Sequence, residues 1–106
     1  MPAPIFRIDC FAVPEPARAK LLSVIRETHA LLRRLPGCRR DMIVEQVEGP
    51  GKYTFVTLVE WDSQDAIEGA IKAVRALHKD LGFDPPAFLK ANGIDADLAF
   101  YRPLAA

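Results

Sequence analysis

The stretch Tyr53 to Ala70, YTFVTLVEWDSQDAIEGA, constrains this chain more than any other. It reads as a strand that runs straight into a helix. Side chains alternate along a strand, so Tyr53, Phe55, Val59 and Trp61 share one face with Thr57 between them, and Val56 and Leu58 point the other way. An edge strand of a small open sheet keeps one face polar. This strand asks for cover on both faces, and the chain has helices enough for one. The expectation is that a second subunit covers the other face.

The rest of the chain supplies three more strands and two more helices. Ile5 to Val13 reads as the first strand, with Phe6, Ile8, Cys10 and Ala12 on an apolar face and Ile5, Arg7, Asp9, Phe11 and Val13 on a mixed one. Pro14-Glu15-Pro16 stops it and starts a helix that runs to about Leu35. Leu21, Val24, Ile25, Thr28, Leu31, Leu32 and Leu35 form its buried stripe. Pro36-Gly37 ends that helix, and Arg39 to Glu48 reads as the second strand, with Arg39-Arg40-Asp41 as a solvated end. Gly49-Pro50-Gly51 turns the chain back as a hairpin. Asp62 or Ser63 caps the next helix, whose stripe is Ala66, Ile67, Ala70, Ile71, Val74, Leu77 and Leu81. A short helix follows Asp84-Pro85-Pro86, and Ala96 to Arg102 is the last strand, with Leu98 and Phe100 toward the helices and Asp97, Ala99 and Tyr101 away from them.

This order is β-α-β-β-α-β, an α+β chain of the ferredoxin-like kind, with both long helices on one side of a four-stranded antiparallel sheet. At 106 residues it is one domain. The uncovered face is expected to carry Phe11, Phe55, Val59 and Trp61. Each large apolar side chain left in water forgoes about 1.5–3 kcal/mol, so a homodimer through the sheet face is the natural remedy.

Composition excludes several classes. Lys plus Arg is 14 and Asp plus Glu is 14, and a balanced charge argues against nucleic acid and against an anionic membrane. No apolar run approaches the roughly 20 residues of a membrane span. Arg7 and Asp9 interrupt the one candidate for a signal peptide, and a cytoplasmic location is expected. Cys10 and Cys38 stand in no CxxC or Cys/His cluster, so free thiols are expected and a metal site is not. No Ser/His/Asp order, phosphate loop or paired carboxylate motif occurs.

Two motifs narrow the reading. Leu35-Pro36-Gly37-Cys38 ahead of the second strand, with Val59-Glu60-Trp61-Asp62-Ser63 ahead of a helix bearing Ala66, resembles the antibiotic biosynthesis monooxygenase (ABM) domain family of the dimeric α+β barrel superfamily. The resemblance spans about Ile5 to Pro103. It implies a sheet-to-sheet dimer and a pocket between sheet and helices in each subunit. Some members of such a family are cofactor-free oxygenases of aromatic polyketides or quinols: an electron-rich phenol is deprotonated and gives an electron to oxygen directly. Others degrade haem. His78 falls near that group's haem-ligand histidine, but Arg7 and Asp9 stand where an asparagine is expected, and Ala70 or Ile71 where a tryptophan is. Haem degradation is a poor carry-over.

The candidate residues follow. His78, at the margin of the second helix's stripe, is either a border histidine with a satisfied hydrogen bond or a base. Trp61 packs the core, lines a pocket, or does both. His78 and Trp61 are the catalytic candidates. Phe83 and Phe88 are placed to wall the pocket mouth. Tyr53 and Tyr101 are phenols able to orient a substrate, with interface packing as their plainer role. Arg7 and Asp9 are expected on the face away from the helices, as an ion pair or a polar spot that recognises substrate. His29 reads as surface. The function expected is cofactor-independent oxidation of a small aromatic or quinol substrate. The rival is a non-enzymatic dimer that binds a small apolar molecule.

Overall fold

The computed structural model describes residues 3–105. The elements follow in the order β1 (Ile5–Ala12), α1 (Glu15–Leu32), β2 (Cys38–Glu45), β3 (Phe55–Trp61), α2 (Gln64–Asp80), α3 (Pro85–Ala91) and β4 (Asp95–Tyr101). One antiparallel sheet holds all four strands in the order β2-β3-β1-β4. The strand with two apolar faces, β3, is therefore internal, as its composition requires.

Local chemistry sets the element ends. Pro14 leads into α1 with a second proline at its first turn. Ser63 accepts a hydrogen bond from the Ala66 amide at 3.2 Å and caps α2; Asp84 does the same for α3 through Ala87 at 3.3 Å. β3 starts at Phe55 rather than Tyr53 because Thr54 is committed elsewhere. Its amide donates to the Phe11 carbonyl at 2.7 Å, and its hydroxyl bonds the same carbonyl and receives the Val13 amide. Likewise β2 begins at Cys38, with an irregularity between Cys38 and Arg40 where the chain enters the sheet.

The strand register corrects one expectation. Arg7, Asp9 and Phe11 stand opposite Val59, Thr57 and Phe55, and Phe100, Leu98 and Ala96 continue those rows on β4. Phe55, Thr57, Val59 and Trp61 are all nearly sealed, and α1 and α2 are what seals them. The Phe55–Trp61 face thus lies under the helices, not away from them, and Arg7 and Asp9 lie there too. A period of two sorts residues into two sets without saying which set the helices take. The bulkier set, with Phe11, Phe55 and Trp61, fills the space between the layers. The open face carries Phe6, Ile8, Cys10, Met42, Val44, Val56, Leu58, Ala99 and Tyr101 instead.

Beneath the helices the core is in two parts. Phe11, Phe55, Leu21, Ile25 and Ile94 form one; Val59, Trp61, Leu32, Ile67 and Ala70 form the other. The Asp9–Thr57 row of the sheet runs between them.

Candidate functional site

A cavity of about 330 Å³ lies between the sheet and the helices, where the two core clusters part. Its walls are mainly apolar: Leu21, Val24 and Leu32 from α1, Ile67 and Val74 from α2, Trp61 from β3. It opens past Ile71, Leu98 and Phe100, which are 39%, 47% and 45% exposed. Leu98 and Phe100 stand on β4, one of the two edge strands of the sheet.

Two polar groups face this apolar space. The first is built on His78. Its Nε2 lies 3.0 Å from the Thr28 hydroxyl, which stands 2.8 Å from the Val24 carbonyl on the turn before it. A carbonyl only accepts, so the single hydroxyl proton goes to Val24 and the oxygen must accept from His78. The proton of neutral His78 therefore sits on Nε2, and Nδ1 carries the lone pair. Burial holds the His78 pKa below its ordinary value. Phe83 meets the ring edge-on at 5.5 Å between centroids.

The second group was not legible as a site in the sequence. His29 is 4% exposed, not a surface residue. It follows Leu21 and Ile25 at four-residue steps, so its position on the buried stripe was there to be read from spacing; its polar character argued against it. Its Nδ1 lies 2.9 Å from Asp41 Oδ2. Asp41 belongs to no solvated strand end. It stands opposite Val59 on the helix side, with its side chain 6% exposed, and takes two further bonds from Arg33 at 2.8 and 2.9 Å. Burial pushes the Asp41 carboxyl up, but the bonds from Arg33 and His29 outweigh it and hold it below the usual carboxylate range. Asp41 is thus an anion, and His29 carries its proton on Nδ1.

Arg7 and Asp9 complete the polar side. Arg7 Nε bonds Asp9 Oδ1 at 2.5 Å, and the guanidinium lies 4.9 Å over the Phe100 ring. Burial raises the Asp9 carboxyl above its ordinary value, against the pull of Arg7 and His29. Asp9 and Thr57 share a sheet row, and Thr57 is 4% exposed.

Of the residues singled out in the sequence, His78, Trp61, Arg7, Asp9 and Phe83 line the cavity. Phe88 stands behind Phe83, with ring centroids 5.1 Å apart, and packs on the Phe11 cluster. Tyr53 and Tyr101 are not brought to the cavity. The Tyr53 hydroxyl donates to Asp97, and that bond pushes its pKa up to about 12. Tyr101 pairs with Phe6 and belongs to the open face. Cys10 and Cys38 are free thiols. Among the described residues no helix is long and apolar enough to cross a membrane.

The two sequence motifs meet in space. The Asp62 amide donates to the Gly37 carbonyl at 2.9 Å, and Gly37 packs on Ala66 with no room for a side chain. The Pro-Gly turn and the Trp-Asp-Ser junction are two halves of one joint that fixes α2 over the sheet.

Comparison with known proteins agrees with that geometry. The family model described as antibiotic biosynthesis monooxygenase matches residues 4–76. No curated protein matches the chain. Among solved structures, SnoaB, a cofactor-independent oxygenase from Streptomyces nogalater, shares 21% identity at a TM-score of 0.66, covering 98% of this chain and 96% of its own. PA3566 from Pseudomonas aeruginosa superposes with a TM-score of 0.72 at 17% identity, covering 99% and 98%. Rv0793 from Mycobacterium tuberculosis gives 0.67 at 16%, covering 98% of each chain. Such distant likeness establishes the ferredoxin-like α+β fold.

Proposed function

The chain belongs to the antibiotic biosynthesis monooxygenase family, and on that premise we propose that it is a monooxygenase whose cavity binds a small aromatic phenol or quinol and oxidises it with dioxygen directly. The observation that carries the reading is the His78 site: a histidine on the wall of a largely apolar cavity, with its lone-pair nitrogen chosen by the Thr28 hydroxyl. An imidazole kept uncharged by burial has a lone pair with which to remove a phenolic proton. The resulting phenolate is rich enough in electrons to give one to oxygen, and the apolar walls keep water from the radical pair. A volume of about 330 Å³ is at the small end of ligand pockets, which fits one or a few rings. Trp61 walls the cavity, and the Arg7–Asp9 pair offers hydrogen bonds at its polar side.

The open sheet face supports a homodimer in which two sheets pack together. Met42, Val44 and Tyr101 on it are 40%, 48% and 48% exposed in the single chain. Free Cys10 and Cys38 fit a reducing, cytoplasmic setting. Oxygen uptake on a panel of naphthols, hydroquinones and anthrones tests the function. Turnover of at least one member is expected, with a loss of about 10²-fold or more in His78→Gln. No uptake with any of them overturns the reading.

A further inference from the structure

The reaction proposed above needs a proton returned as well as one removed. Oxidation of a phenol C–H to a quinone C=O by one dioxygen passes through a hydroperoxide on that carbon. The phenolic proton returns from His78 to the peroxide; the carbon then gives its proton to a second base, the O–O bond breaks, one oxygen stays as the carbonyl and the other leaves with that proton as water. The four electrons taken from the substrate reduce the two oxygen atoms. The leaving oxygen must gain a proton, and His78, with Nε2 committed to Thr28, cycles the phenolic one, so the proton of the carbon needs a second carrier.

We propose that His29, held by Asp41, is the second proton carrier of the cavity: its Nε2 meets the oxygen side of a bound ligand, and in turnover it takes the C–H proton of the substrate hydroperoxide and hands it to the departing distal oxygen. His29 lines the cavity from α1, and its Nδ1 is taken by Asp41 at 2.9 Å. Among the described residues Nε2 has no partner, and no buried side-chain nitrogen or oxygen is sealed off without one, so Nε2 opens on the cavity. The anionic Asp41 stabilises the imidazolium that donates, and orients the ring. Asp41 also bonds Arg33, which holds the carboxylate anionic behind the ring. The other charged groups near the ring are Asp9 and Arg7 on β1, and they pair with each other.

This carrier role rests on the oxidase reading, and the test separates the two. In ¹⁵N-histidine spectra of the wild-type protein, addition of 4-nitrophenolate is expected to move the His29 Nε2 resonance. A resonance that does not respond while the probe is bound overturns the proposal, whether or not any phenol is oxidised. With an oxidised phenol, His29→Gln is expected to keep consuming oxygen while the yield of quinone per oxygen falls at least tenfold and the substrate hydroperoxide accumulates in its place. A wild-type quinone-to-oxygen ratio in a folded His29→Gln also overturns the proposal.

Discussion

Thr28 decides which nitrogen of His78 is basic. The hydroxyl oxygen lies 3.0 Å from Nε2 and is itself a donor to the Val24 carbonyl at 2.8 Å, so it takes the imidazole proton and leaves Nδ1 unprotonated. Thr28→Val keeps the shape and deletes the acceptor. Loss of that bond costs about 1 kcal/mol of stability and frees the ring to change tautomer. The expected outcome is a modest drop in melting temperature and a roughly tenfold fall in the phenol-dependent oxygen uptake, on the scale of one hydrogen bond to the reacting group.

Burial of His78 also gives the fold a pH dependence. Its pKa is lowered in the native state, so the unfolded chain takes up the proton first as the pH drops. The contribution is whole above the unfolded value, about 6.5, and is lost as the pH falls through the lower folded value. His78→Gln is expected to flatten the melting temperature just below neutral pH. An unchanged slope between wild type and variant would show that this histidine is not what titrates.

Asp41 acts in a lower window. Its folded pKa lies below the ordinary carboxylate value, through Arg33 and His29 against the opposing effect of burial. Its stabilisation is therefore present above about 4 and is lost as acid carries the pH through the folded value. Asp41→Asn removes the charge with little change of volume and leaves His29 with a weaker acceptor. A loss of about 2 kcal/mol is expected at neutral pH, measured by urea denaturation, and less of a loss in acid.

The element order was legible because each strand and helix carries its own period and its own stop. The face assignment was not, because both faces of β3 are apolar and alternation is symmetric between them. His29 and Asp41 were missed for one shared reason: each was judged by residue type rather than place. Spacing put His29 four residues after Ile25, and alternation put Asp41 with Ile43, yet a histidine and an aspartate look like surface. The site shows itself where a polar residue occupies a core position, and such a position is readable only once the stripe is trusted over the side chain.

Gly37 and Gly69 make a matched pair for testing the joint behind the family motif. Gly37 has φ of +86°, and a Cβ there would collide with Ala66 Cβ. Gly37→Ala is expected to lose more than about 1 kcal/mol, since it adds a left-handed backbone penalty to a clash. Gly69 sits on the exposed side of α2, and a methyl group added there would meet nothing within 4 Å. Gly69→Ala is expected to gain about 0.5–1 kcal/mol from helix propensity. Opposite signs in the two melting temperatures check the argument.

The open sheet face is the place to break a dimer without touching the cavity. Leu58 stands at its centre, on β3 between Met42 of β2 and Ile8 of β1, and none of these three lines the cavity. A carboxylate there must stay hydrated, and two would face one another across a twofold sheet-to-sheet contact. Sedimentation of the wild type is expected at twice the 11.8 kDa of one chain, and of Leu58→Asp at the mass of one chain. The variant is expected to bind 4-nitrophenolate still, because the cavity is built from residues of a single chain. A wild type that sediments as one chain at micromolar concentration refutes the sheet-to-sheet pairing and leaves the cavity chemistry standing.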